Sequence, residues 1–199
     1  MTWADAQTNL PDRARWYATA DAASLEATKR SEASALIFLE GYVHSEPKIP
    51  TAIDAATVAA YRETHYSVLV DGLWTEADGT SPDRFDLVID QPSIALKSLY
   101  AATRHTQSAF ITACNPLGQV LSDEANDARQ VQLREELTRR SLKFIPGIGQ
   151  HPTNRWPGEP SFLVLGIALE ASKALGLRHQ QNAIVWAGPD ATPRLILLR

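Results

Sequence analysis

Several polar residues stand where the pattern calls for apolar ones or for a turn, and they fall into one order along the chain. The segment 122–142 reads as a long helix whose core stripe is marked by Leu133 and Leu137. Two turns back from Leu133 the stripe carries Asn126, with Gln130 beside it. An amide on a buried stripe is costly unless its hydrogen bonds are met. Asn126 therefore either bonds the backbone of the preceding turn or lines a polar pocket. The strand before this helix is apolar up to Thr112 and ends in Asn115-Pro116, a turn-starting pair. Carboxyl ends of strands beside helix N-termini are where ligands gather in α/β sheets. Further on, a Gly/Pro-rich stretch over 146–160 holds Gln150, His151, Asn154, Arg155, Trp156 and Glu159. Glu159, just before the apolar strand at Ser161, reads as a fixed carboxylate. Gln180, Gln181 and Asn182 form a further polar cluster ahead of another apolar strand.

The chemistry these types allow is recognition by hydrogen bonds. Thr112, Asn115, Asn126, Glu159, Ser161 and Gln181 are the expected ligand-binding set, with Arg155 or His151 added from the loop. The expected ligand is small and polar or anionic, a nucleotide or a metabolite. In an enzyme, Glu159 is the candidate catalytic general base, and Thr112 or Ser161 its hydrogen-bonding partner. A second reading belongs to another class. There the polar residues are structural, and the protein is a non-catalytic protein–protein interaction domain that uses its N-terminal helix and the aromatics Trp3, Trp16 and Tyr17.

These residues need elements to position them. Asp54 caps a short helix ending near Thr64, and strands follow at 66–70 and 85–89, separated by the turn signals Asp71-Gly72 and Asp78-Gly79. Pro92 opens a helix through Leu96, Leu99 and Tyr100. Strand 108–114 precedes the long helix, whose N-cap is Ser122. Asp123, Glu124 and Asp127 suit the positive end of its dipole, and Arg139 and Arg140 the negative end. A short strand at 144–145, a long loop over 146–160, a strand at 161–167, a helix at 168–177 and strands at 182–187 and 194–198 complete the reading. In the loop, the glycines and prolines argue against a helix or a central strand, and Trp156 is expected to pin it to the domain. The interleaving predicts an α+β fold, a single mixed α/β sandwich-like domain with a C-terminal β-hairpin, over residues 51–199. Residues 1–50, rich in Ala, Ser and charge, read as a helical N-terminal extension.

Composition narrows the function classes. The chain has 199 residues, 19 Lys and Arg against 23 Asp and Glu, and a formal net charge of −4. No broad basic field exists for general nucleic-acid binding. A single cysteine, Cys114, rules out an intramolecular disulfide and a Cys-based zinc site. It sits in an apolar strand and reads as a buried core thiol. No two histidines lie within a helical turn of each other, and no metal or cofactor is expected. Gly147-Ile148-Gly149 lacks the third glycine and the helix of a dinucleotide fingerprint. The longest apolar run, 35–39, is far too short to span a bilayer, and the first residues lack a signal-peptide pattern. A cytoplasmic protein with no membrane partner is the expectation.

Taken in order, Thr112-Ala113-x-Asn115-Pro116, then Leu121-Ser122 with Asn126, then a Gly-containing loop with Trp156, Glu159 and Ser161, then Gln181-Asn182-Ala183-Ile184 resemble the bacterial family catalogued as domain of unknown function 3293. Ala60-Tyr61-x-x-Thr64-x-Tyr66 is similar to that family's opening motif. The resemblance runs from about Ala56 to Leu198 and implies an α+β domain with no established activity. Gln180 departs from it, standing where the pattern has a glycine that makes a tight turn.

Overall fold

A computed structural model describes residues 53–70, 83–153, 156 and 158–199, all within the unit Ile49–Arg199. The helical extension expected over 1–50, with Trp3, Trp16 and Tyr17, lies outside the described residues, as do Asn154 and Arg155.

Among the described residues twelve regular elements follow one another. They are α1 (Ala55–Glu63), β1 (His65–Leu69), β2 (Arg84–Leu87), α2 (Ile94–Thr103), β3 (Ser108–Ile111), a 3-10 turn (Pro116–Gly118), α3 (Asp123–Arg139), β4 (Lys143–Gln150), β5 (Glu159–Leu165), α4 (Leu169–Arg178), β6 (Ala183–Ala187) and β7 (Pro193–Leu197). The helix starts follow from their caps: Asp54, Ser93 and Ser122 each accept a backbone N–H of the first turn through a side-chain oxygen. All seven strands join one sheet in the order β2-β1-β4-β5-β3-β6-β7, every neighbouring pair antiparallel. The fold is α+β, and the expected C-terminal hairpin is β6–β7. The sheet curls until its edges meet. Asp90, just past β2, donates its N–H to Pro193 O at 2.8 Å, and Ser93 donates to Ala191 O at 2.9 Å.

Each face of the sheet has its own core, as strand alternation dictates. On one face Val68, Leu87, Phe110, Ile145, Leu163 and Val185 bury Leu96, Leu99 and Tyr100 of α2. On the other, Ile111, Phe162, Val164 and Ile184 bury Leu133 and Leu137 of α3 and Leu175 of α4. The sheet thus lies between two helical layers, in keeping with the sandwich-like expectation.

One expectation is corrected. The stretch 146–160 is not a long loop: β4 runs on through Gln150, β5 begins at Glu159, and β4 is a central strand paired to both β1 and β5. Pro146 is tolerated because it lies one residue before β1 joins β4, where Gly147 meets Val68. Gly147 is there for space. A Cβ on it would lie 2.6 Å from Phe110 Cε2 and 2.6 Å from Ser67 O, so the aromatic ring of β3 occupies what would be its side-chain volume. At Gly149 the same atom would meet its nearest neighbour at 3.8 Å, an ordinary contact.

The two glycines should therefore respond oppositely to alanine. Gly147→Ala must displace backbone or a packed ring, and is expected to cost about 1–3 kcal/mol. Gly149→Ala is expected to be neutral or slightly stabilising, since it lowers the entropy of the unfolded chain. Urea unfolding of the two variants beside the parent chain measures both.

Candidate functional site

The backbone leaving β3 at Ile111 has no strand partner beyond it, so its amides and carbonyls must find partners elsewhere. Side chains supply them. Ala113 N–H donates to Gln130 Oε1 at 3.1 Å, and Ala113 O accepts Arg129 Nε at 2.8 Å. Cys114 N–H donates to Thr112 Oγ1 at 3.0 Å, and Cys114 O accepts Gln181 Nε2 at 2.9 Å. Asn115 N–H donates to Asn126 Oδ1 at 2.8 Å, and Asn115 O accepts Gly118 N–H at 3.0 Å. This explains the amide on the α3 stripe. Asn126 stands one turn before Gln130, and both face the departing strand.

Asn115 carries the network onward. It is 5% exposed and lies in the left-handed region at φ +46°, a conformation that Asn tolerates better than most residues. Its Oδ1 accepts Asn126 Nδ2 and Leu121 N–H, each at 3.0 Å. Its Nδ2 donates to Glu159 Oε1 at 2.7 Å. The same carboxylate oxygen accepts Trp156 Nε1 at 2.9 Å. Glu159 is half-buried, and no hydrogen bond to Oε2 is made among the described residues. Burial pushes its pKa above the ordinary carboxylate value, outweighing the opposing hydrogen bonds from Asn115 and Trp156.

The structure thus brings Asn115, Asn126 and Glu159 into one hydrogen-bonded chain. Gln181 is buried next to it, on Cys114 O. Thr112 and Ser161 are adjacent but otherwise engaged. Thr112 Oγ1 donates to Pro160 O at 2.7 Å, and Ser161 Oγ donates to Glu159 O at 3.0 Å. Neither hydroxyl bonds the Glu159 carboxylate, so neither is the partner expected for a general base. Trp156 pins the loop by its indole N–H while 37% of the residue stays exposed. His151 turns away, with Nε2 3.2 Å from Glu63 Oε2.

Three residues of the corner were not singled out as site residues from the sequence. Arg129 ties α3 to two backbones, donating to Ala113 O and, at 3.0 Å, to His179 O. Its signal is its place three residues after Asn126. Tyr61, at the end of α1, accepts Asn182 Nδ2 on its Oη at 3.3 Å, and its backbone O accepts Tyr66 Oη at 2.6 Å. Its signal is the Ala60-Tyr61-x-x-Thr64-x-Tyr66 pattern. Burial raises the Tyr61 pKa, with the Asn182 hydrogen bond opposing it and the Glu159 charge adding to it. Gln180 departs from the family pattern in letter only. It sits at φ +58°, where a glycine is expected, and its carbonyl accepts Leu117 N–H at 2.8 Å.

Cys114 is buried, 2% exposed, with its thiol 3.8 Å from Pro160 O. Burial first, and then the Glu159 and Asp127 charges, push its pKa up to about 11, against the lowering effect of Thr112 and Arg129. Among the described residues no three His, Cys, Asp or Glu side chains gather as a metal site requires. No helix there is long and apolar enough to cross a membrane.

Two outcomes follow from this geometry. Asn126→Leu keeps the size but strands the Asn115 N–H and one side-chain acceptor, and is expected to cost about 1–3 kcal/mol in urea unfolding. Cys114 at pH 7 is expected to react with a thiol reagent far more slowly in the native chain than in urea, because both burial and the raised pKa withhold the thiolate. Absorbance of the released chromophore follows that rate.

No curated protein and no solved structure matches the chain. The stretch from the end of β3 into β6 holds Asn115, Asn126, Glu159 and Gln181, and it is this stretch, residues 111–184, that matches the model of the family described as Protein of unknown function (DUF3293).

Proposed function

We propose that this is a cytosolic bacterial protein that binds a small polar ligand, a nucleotide or a metabolite, at the Glu159 corner. One observation carries the reading. Glu159 is held on Oε1 by two neutral donors, Asn115 Nδ2 and Trp156 Nε1, while Oε2 makes no hydrogen bond among the described residues. A fixed carboxylate with one committed and one open oxygen is preorganised to accept a hydrogen bond from a ligand. Asn115, Asn126 and Gln181 serve this reading as positioning residues, because their hydrogen bonds orient the carboxylate and the backbone around it. Catalysis by Glu159 as a general base belongs to the same proposal, since its raised pKa moves it toward the range in which a base works.

The saturation of the corner favours a second reading. Thr112, Asn115, Asn126 and Gln181 all bond the departing backbone or each other. On that account the corner is a structural latch, and any partner binds elsewhere.

Glu159→Gln separates the two. The amide oxygen can still accept from Asn115 and Trp156, while an N–H₂ replaces the open Oε2. The native pKa of Glu159 is raised above its unfolded value, so the folded chain binds more protons between the two values, and stability falls as pH rises through the native pKa. The variant escapes that loss. Its Tm at neutral pH is expected to equal or slightly exceed the parent's. In thermal-shift screening against nucleotides and metabolites, a ligand specific for the folded chain raises the parent's Tm, and the variant is expected not to respond. A compound that stabilises both equally, or none at all, supports the latch.

A further inference from the structure

The fold contains a second carboxylate withdrawn from water, this one buried, that shows how such a charge is compensated. Glu136 on α3 is met by Arg140 Nη2 at 2.8 Å, by His179 Nε2 at 3.1 Å and by Arg178. Burial alone would raise its pKa, yet the His179 hydrogen bond and the two arginine charges prevail and lower it. Among the described residues Glu159 has neutral donors only. Among the described residues no Lys, Arg or His forms an ion pair with it. Charges withdrawn from water are ordinarily paired, and the described residues leave this one without a counter-charge.

The sheet places a gap beside that charge. Tyr66 on β1 is opposite Gly149 on β4, and Gly149 is opposite Glu159 on β5. Directly opposed residues share a face of the sheet, so the row reads aromatic, nothing, carboxylate. Gly149 has no steric reason to be glycine. Its φ is not left-handed, and a Cβ would meet Tyr66 Cδ1 at 3.8 Å and Thr64 Cγ2 at 3.9 Å. The missing side chain therefore leaves a step between the Tyr66 ring and Glu159, bordered by the Thr64 methyl. Tyr61 is close enough to feel the Glu159 charge.

We propose that the group recognised at this site is an organic cation, an ammonium or a guanidinium, seated over Gly149 with its N–H on Glu159 Oε2 and the rings of Tyr66 and Tyr61 beside it. The inference rests on the ligand-binding reading above and narrows it from a nucleotide or a metabolite to a cationic metabolite. A cation supplies the counter-charge that the described residues do not give Glu159. A neutral donor leaves that charge uncompensated, and an anion adds a second one. Aromatic flanks also suit a cation, which they attract without the hydration a carboxylate demands. The step is about one side chain wide, so it takes the head of the ligand and the remainder extends to solvent.

A matched series tests it. Butylamine and butylguanidine are the cationic probes, butylurea the neutral isostere and butyrate the anion. Each is titrated into the full chain by calorimetry and thermal shift. The two cations are expected to bind saturably, more tightly as pH rises through the Glu159 ionisation, and butylurea and butyrate not to bind. Glu159→Gln is expected to lose about tenfold or more in affinity, the worth of one charge-assisted hydrogen bond. Gly149→Val fills the step and is expected to lose a similar factor; Gly149→Ala, whose Cβ fits without a clash, gives a smaller loss in a chain of parental stability. Cations that bind the Glu159→Gln chain as well as the parent overturn the proposal. Glu159-dependent binding of butylurea, butyrate or a nucleotide, with no response to the cations, overturns the cation class and leaves the ligand site standing. If no compound of any class binds in a Glu159-dependent way, the ligand site falls with it.

Discussion

Asn126, Leu121 and Glu159 all converge on one buried amide, that of Asn115. When β3 ends, its backbone runs on without a neighbouring strand, and an unpaired buried amide or carbonyl costs about 1–3 kcal/mol. Asn115 resolves this at the point where the chain must also reverse. Its left-handed φ makes the turn, and its Oδ1 gathers Leu121 N–H and Asn126 Nδ2, joining the start of α3 to the end of β3. Its Nδ2, the one donor left, goes to Glu159. No other residue type supplies an acceptor, a donor and a tolerated left-handed backbone in so short a side chain. Aspartate would face the Glu159 carboxylate with a second charge, and glycine would free both ends of the network.

The turn itself is strained, and the network is what holds it. Asn115, Leu117 and Gly118 all have positive φ, and so does Gln180 across the gap. For Leu117, at φ +59°, this is an unusual conformation. Its N–H donates to Gln180 O, so two left-handed residues from distant parts of the chain fix one another. Arg129 clamps the same junction by bonding Ala113 O, His179 O and, at 3.4 Å, Gln180 Oε1. Such outliers persist only where the surroundings over-determine them. Here the surroundings are the side chains of α3 and the turn that follows α4.

Much of this was legible in the sequence, and for local reasons. The caps Asp54 and Ser122, the turn at Asn115-Pro116 and the leucine stripe of α3 are all set by neighbours within a few residues, and the structure has them in place. Asn126 stood out because an amide interrupted that stripe. The strand β4 was not legible past Ile145, because Pro146, Gly147 and Gly149 carry the marks of a loop. Their sense is nonlocal: Gly147 is small because Phe110, 37 residues earlier by the chain numbering, lies across it. The contacts of Tyr61 and Arg129 were not legible for the same reason, although Tyr61 stands in a motif and Arg129 one turn after Asn126. Each reaches a group at least 16 positions away in the chain, and motif or spacing marks the residue without naming its partner.

The contrast between the two carboxylates gives the corner its meaning. Glu136 and Glu159 are both drawn into the protein, and burial presses both toward the neutral form. At Glu136 the sequence supplies arginines one turn further along α3 and at the end of α4, and the charge is retained. At Glu159 the chain supplies two aligned donors without charge, which fix the carboxylate's position but leave its ionisation penalised. A group needed only as a brace would be served as well by glutamine, which satisfies the same two donors at no cost in charge. Keeping a carboxylate there is a choice of acid over amide. On the ligand-binding proposal, the second oxygen, the charge or the proton is what a group arriving from outside uses.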